Sequence, residues 1–371
     1  MADVLTHLRE LSFGYSILKE GITEFNDSPD VFLNFCKSNI KNCQHLTRSQ
    51  ISSKSEFSDI ERDTIYNGLK LGRYIISKNI LNSKANVKWL GNENQSGTTY
   101  DMEIDNIFFS LKEKSFILHN MGLYQLLNII TDKISYKKGL HIFEQFAPDA
   151  LEKWFTITRQ RTIDKLKIKS FQTEDSQRKN IKLAYSEEKL YLFYNGDEIK
   201  IQNFSECSYE RFKNETTSKI REKVFSKFIN QHLASDIMYL EAKKNCAEKA
   251  GKNLVDYLKC NVSQNPSPKS LYNLFRVTNQ DYYYAKTTPN DIEVYKIPSQ
   301  SEFSNNIQIT DITYSVPSSQ LNLLTTIENT DTKEKLIFRN ELRYSHGQLN
   351  GTPEAKMYID QGSLLIAYKS I

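Results

Sequence analysis

Asp101 and Lys112 bracket the run Asp101-Met-Glu-Ile-Asp-Asn-Ile-Phe-Phe-Ser110-Leu-Lys112. Met102 and Ile104 alternate with Glu103, Asp105-Asn106 is a compact polar turn, and Ile107-Phe108-Phe109 opens a second apolar strand. This pattern predicts a tight β-hairpin with an acid at the start of its first strand and a lysine on its second. Metal-dependent phosphodiester hydrolysis uses that pairing. The carboxylate holds a divalent cation, while the ammonium orients or activates the attacking water and offsets charge on the phosphate. The plainer reading is a cross-strand ion pair on a solvent face, worth roughly a few tenths of a kcal/mol. Three features favour chemistry. The run Ile107-Phe108-Phe109 suggests a strand buried on both faces, where a lysine calls for a partner. The polar loop Gly91-Asn-Glu-Asn-Gln-Ser-Gly97 ahead of the hairpin suits approach to a ligand. Helical patterns on either side give an α-β-β-β-α order.

These residues resemble the PD-(D/E)XK nuclease superfamily, in the form found in type II restriction endonucleases. The family pattern is an Asp opening a strand, a spacer, then Glu/Asp-any-Lys on the neighbouring strand. Asp101 matches the first acid and Lys112 the lysine, but Ser110 stands where the second acid belongs. The resemblance covers residues 56–130, about a fifth of the chain. A serine is not an anionic ligand, so the missing charge must come from elsewhere. Glu61, on a predicted upstream helix, ranks first. By strand alternation Glu103 shares the face of Asp101, whereas Glu113 falls opposite Lys112.

The resemblance implies a mixed α/β fold: a restriction-endonuclease-like core whose mixed sheet is flanked by helices, with a β-rich C-terminal region. It also implies cleavage of double-stranded DNA at a short specific sequence. Mg²⁺ would be held by Asp101, a second acid and the Leu111 carbonyl. Lys112 would position the water, and in-line attack would leave a 5′-phosphate. Ser110 would hydrogen-bond water on the ion where family members place a carboxylate. Cutting both strands of a symmetric site favours a homodimer.

A reader should accompany a cutter. Phe338-Arg-Asn-Glu-Leu-Arg-Tyr-Ser-His-Gly-Gln-Leu-Asn-Gly carries Arg339, Arg343, His346, Gln348 and Asn350 around Gly347 and Gly351. Arginine pairs with guanine N7/O6, and Gln or Asn with adenine N6/N7. The alternative is an ordinary β-turn with polar decoration. The same segment holds a literal Glu354-Ala-Lys356, with Asp331 upstream as a first acid. This rival site ranks second, because Asp331 sits in a polar turn and no helix pattern follows Lys356. Other basic residues cluster in Trp154–Arg161 and Lys165–Lys169, a backbone-binding stripe or a solvated helix face.

The chain has 371 residues, 39% hydrophobic and 25% charged, with 49 basic against 45 acidic residues for a net charge of +4. That mild excess permits nucleic-acid binding without demanding it. The five cysteines lack any C-x-x-C spacing; Cys36, Cys43 and His45 come nearest to a ligand cluster, with buried free thiols the better expectation. No basic-then-apolar leader and no membrane-length apolar window is present, which points to a cytoplasmic protein. Three zones are expected. Residues 1–145 hold helices and the hairpin, including a helix from Asp59 capped by Ser58 or Asp59, in which Gly68 and Gly72 let another element pack closely. Residues 146–265 are mostly helical, with a hairpin at Asn195-Gly196. Residues 266–371 are β-rich and would read DNA. The runner-up reading is a non-catalytic nucleic-acid-binding protein, and a protein-interaction module is third. Nucleotide-binding glycine loops, a Ser/His/Asp signature and HExxH are absent from the sequence.

Overall fold

A computed structural model describes residues 4–81, 86–91, 99–113, 119–132, 141–288, 290–304, 306–343 and 354–370. Along the chain the elements are α1 (Val4–Leu18), α2 (Pro29–Asn39), α3 (Asp59–Ser77), β1 (Val87–Trp89), β2 (Met102–Ile104) and β3 (Ile107–Glu113). Then come β4 (His119–Gly122), α4 (Leu123–Thr131), α5 (Ile142–Phe146), α6 (Pro148–Ile168), and β5 to β8 (Phe171–Glu174, Asn180–Ser186, Lys189–Tyr194, Asp197–Ile201). Helices α7 (Tyr209–Glu215), α8 (Ser218–Ile220), α9 (Ser226–His232), α10 (Ile237–Asn261) and α11 (Pro268–Phe275) follow. The chain closes with β9 (Tyr282–Thr287), β10 (Ile292–Ile297), β11 (Ile307–Ser315), β12 (Asn322–Asn329), β13 (Lys335–Arg343), β14 (Glu354–Gln361) and β15 (Lys369–Ser370). The fold is mixed α/β.

Two compact units share these elements. One comprises Met1–Phe116, Tyr272–Asn305 and Leu364–Ile371; the other Ile117–Leu271 and Asn306–Ser363. The zone boundaries read from sequence, after residues 145 and 265, both fall inside the second unit.

The first unit is built on a six-stranded mixed sheet, β1-β2-β3-β9-β10-β15, in which β3 and β9 run parallel. The hairpin forms as its sequence predicts. Asp105 (φ 50°) and Asn106 (φ 66°) both adopt left-handed backbone, the type I′ turn whose twist matches the flanking strands. Alternation then sends Phe109 and Leu111 into a fully buried core with Leu8, Leu11 and Phe13 of α1 and Ile65 and Leu69 of α3. Ser110 and Lys112 take the opposite face. The expected close approach at Gly68 and Gly72 is to α1. A Cβ on Gly68 would lie 2.0 Å from the Ser12 hydroxyl oxygen, and one on Gly72 2.6 Å from the Ser16 Cβ. Ser16 Oγ also donates to the Leu69 carbonyl across the crossing at 3.0 Å. Small residues four apart on each helix therefore seat α1 deep on the sheet, with His7 to Gly14 all buried.

The second unit holds two further sheets, β11-β12-β13-β14-β4 and the meander β5-β6-β7-β8. The zone 146–265 is mostly helical, as expected, but the hairpin at Asn195-Gly196 is half of a four-stranded antiparallel meander over residues 171–201. One expectation is corrected here. The β-rich tail is not one region: β9, β10 and β15 complete the hairpin sheet, while β11 to β14 pair with β4. The helical pattern expected after the hairpin begins only at Leu123, because His119–Gly122 form β4.

Candidate active site

The loop-to-strand junction fixes Asp101. Its N–H donates to the Phe109 carbonyl at 2.8 Å and its carbonyl accepts from Leu90 N–H at 3.0 Å, so pairing extends one residue beyond β2. Its Oδ2 accepts from the Leu111 N–H at 2.6 Å and from Lys112 Nζ at 3.4 Å. Backbone geometry thus presents the carboxylate to the lysine, and both side chains stay partly open to solvent. At Leu111 it is the amide that reaches Asp101, where the sequence pointed to the carbonyl as a metal ligand.

A third acid, Glu10, lies close to the pair, and sequence reading did not single it out. It lies on α1, only 3% exposed, and its Oε2 accepts from the Trp89 indole N–H at 2.7 Å. Burial, then the nearby Asp101 charge, push its pKa up to about 8, against the opposing pull of Trp89, Arg9 and Lys112. Gly91 leaves the room this requires: a Cβ there would sit 2.4 Å from Glu10 Oε2 and 2.7 Å from Trp89 Nε1. Glu10, Asp101 and Lys112 are therefore one electrostatic cluster. Glu10 is the buried member of this cluster, while Asp101 and Lys112 remain partly open to solvent.

The other candidates are committed elsewhere. Glu61 closes the N-terminus of α3, accepting from both the Ser58 N–H and hydroxyl at 2.7 Å. Burial raises its pKa, but hydrogen bonds from Ser58 and Ser52 outweigh that and hold the carboxyl below its ordinary range. It is a helix cap, which removes it from the proposed catalytic set. Glu103 pairs with Lys88, its cross-strand neighbour, at 3.5 Å. Glu113 lies on β3 in register with Thr287; its side chain falls outside the described residues. Ser110 is 1% exposed, and its hydroxyl has no hydrogen-bond partner among the described residues. On β9, in register with Lys112, Lys286 is buried and bridges to Glu293 at 3.3 Å.

The rival site does not assemble. Asp331 bonds Asn306 in the turn before β13, whereas Lys356 on β14 is in register with Glu341, six residues beyond Lys335. The two are separated by roughly 20 Å of strand. Of the base-reading candidates, Arg339 bridges to Asp360 at 3.4 Å and lies over the Tyr358 ring at 4.6 Å. Arg343 ends β13, its side chain outside the described residues, as are His346, Gln348 and Asn350. In the basic stripe Arg161 is held by Asp236 at 2.7 Å and Arg159 by the Cys207 carbonyl. Cys36 and Cys43 are core residues whose thiols burial pushes up, Cys43 to about 12. Among the described residues no group of three or more His, Cys, Asp or Glu is arranged to hold a metal, and no helix is long and apolar enough to cross a membrane.

Comparison with protein-family models, with curated proteins and with solved structures finds no match for this chain.

Proposed function

We propose that this protein is a magnesium-dependent endonuclease that cuts double-stranded DNA at a short sequence, in the manner of type II restriction enzymes. The observation that carries the reading is the Glu10–Asp101–Lys112 cluster, in which a buried carboxyl would, on losing its proton as a cation binds, supply the charge that Ser110 cannot. The residues fit a hard divalent ion. Magnesium takes one or two protein carboxylates and leaves its remaining positions to water and phosphate, so Glu10 and Asp101 suffice. A cation would also relieve the strain that holds Glu10 protonated near neutrality. Bound there, the ion would supply Lewis-acid polarisation of the phosphate.

The protein's own groups do the rest. Lys112 orients the attacking water and balances charge accumulating on the phosphate oxygens. Asp101, locked by the Leu111 amide, holds Lys112 in place. The element order also supports the reading, since β1, β2 and β3 form an antiparallel meander after α1 and α3, and β9 then returns parallel to β3. Arg339 is occupied by Asp360 and Tyr358, so base reading falls to Arg343, His346, Gln348 and Asn350. Palindromic cutting would use a homodimer. Incubating the protein with plasmid DNA and Mg²⁺ tests the reading: discrete bands that vanish with EDTA are expected. Duplex binding without cleavage in any divalent metal favours the non-catalytic alternative instead.

A further inference from the structure

The meander β5–β8 carries a surface that the nuclease reading leaves unused. Its inner face is apolar and buried through Ile181, Leu183, Leu190, Leu192 and Ile201. Period-two alternation puts Tyr191 and Phe193 of the central strand β7 on the outer face, and both remain partly exposed. Both rings are partly open on the outer face, and each has a lysine beside it. Lys182 Nζ lies 5.4 Å from the Phe193 ring centroid, and Lys200 Nζ 5.6 Å from that of Tyr191. Register places Lys182 opposite Phe193 and Lys200 opposite Tyr191, so these contacts follow from strand pairing. Ala184, opposite Tyr191 on the other side, is too small to cover the ring.

We propose that this outer face binds single-stranded DNA, with one base stacking on Tyr191 and a neighbouring base on Phe193. Two rings at alternate positions of a strand stand roughly 7 Å apart, so a single base does not span both. Every base offers a π-face, and a base–ring stack is worth more than an exposed ammonium–ring contact, so the base displaces the lysine head from the ring. The freed ammonium then lies beside the ring, at the level where the phosphates of the stacked strand run. Lys189, on the same face, extends the basic line. Glu198, in register with Phe193, pairs with Lys200 at 3.1 Å, so the phosphate contacts fall to Lys182 and Lys189. The proposal concerns the second unit and does not rest on the Asp101–Lys112 site.

The test is fluorescence anisotropy with a labelled dT12 oligonucleotide, using full-length Lys112→Ala protein in EDTA so that no strand is cut. Binding is expected, with Tyr191→Ala and Phe193→Ala each weakening it about tenfold or more. Tyr191→Trp, which keeps a stacking ring, should retain affinity and show quenched indole emission on binding. Circular dichroism confirms that each variant folds. The proposal is overturned if the parent protein does not bind dT12, or if the alanine variants bind it unchanged. It is also overturned if they lose a duplex of equal length in the same proportion, or if rU12 binds more tightly than dT12.

Discussion

Glu10 and Asp101 compete for Lys112, and burial decides which of them gives up its charge. Glu10 holds a proton to about pH 8, whereas an unfolded glutamate releases it near 4.5. The stability contributed by that proton is complete below pH 4.5 and is lost as pH rises through about 8, at up to about 1.4 kcal/mol per pH unit. Glu10→Gln, always neutral and still able to accept from Trp89, should melt like the parent at pH 4.5 and at a higher temperature at pH 9. Thermal melts at the two pH values check this; equal melting temperatures at pH 9 would count against the buried, Asp101-coupled geometry. Gly91→Ala forces a methyl against the Glu10 carboxyl and should cut turnover far more than it lowers the melting temperature. At this scale the sequence was half legible. Asp101 and Lys112 stood out because hairpin register is a short-range property. Glu10 did not, since its partners Trp89 and Asp101 are distant in sequence and the packing of α1 against the sheet brings them near. The misassigned Glu61 carried its own warning, because Ser58-Asp-Ile-Glu61 is a capping-box pattern.

The α1–α3 crossing positions the site. Gly68 has the Ser12 hydroxyl and the Arg9 carbonyl within 2.5 Å of where a Cβ would lie, and the carbonyl is backbone that does not yield cheaply. Gly68→Ala should therefore destabilise the fold by about 1–3 kcal/mol and lower cleavage as Glu10 shifts with α1. Urea denaturation beside a cleavage assay reads both effects; an unchanged midpoint contradicts the tight crossing. The spacing of Gly68 and Gly72 is visible in the sequence, but nothing local ties it to the matching Ser12 and Ser16 far earlier in the chain. Turns explain the other successes and misses. Asp105-Asn106 and Asn195-Gly196 announce type I′ hairpins through residues that tolerate left-handed backbone. The β6–β7 turn uses Glu187 (φ 48°) and Glu188 (φ 60°) in the same conformation, and two glutamates give no such signal. Half of the meander was missed for that reason.

At the scale of the molecule, the first unit is assembled from three separated stretches of chain, with residues 117–271 inserted between β3 and β9. The β-rich character of the tail is legible locally, yet not which sheet each strand joins, because β9 finds β3 across that insertion. The separation has a functional corollary. Lys356 belongs to the second unit, remote along its sheet from Asp331. Lys356→Ala should cleave plasmid DNA at the parental rate, and loss of turnover there would relocate the active site. With a net charge of only +4, duplex affinity must come from local phosphate contacts, and binding should weaken steeply with salt. The most direct measurement compares plasmid cleavage by Glu10→Gln, Asp101→Asn and Lys112→Ala with the parent, alongside duplex binding by gel shift. All three should lose cleavage by at least about a hundredfold while still shifting DNA, and the double variants should be no worse than the singles. Parental cleavage by any one of the three variants would contradict the assignment.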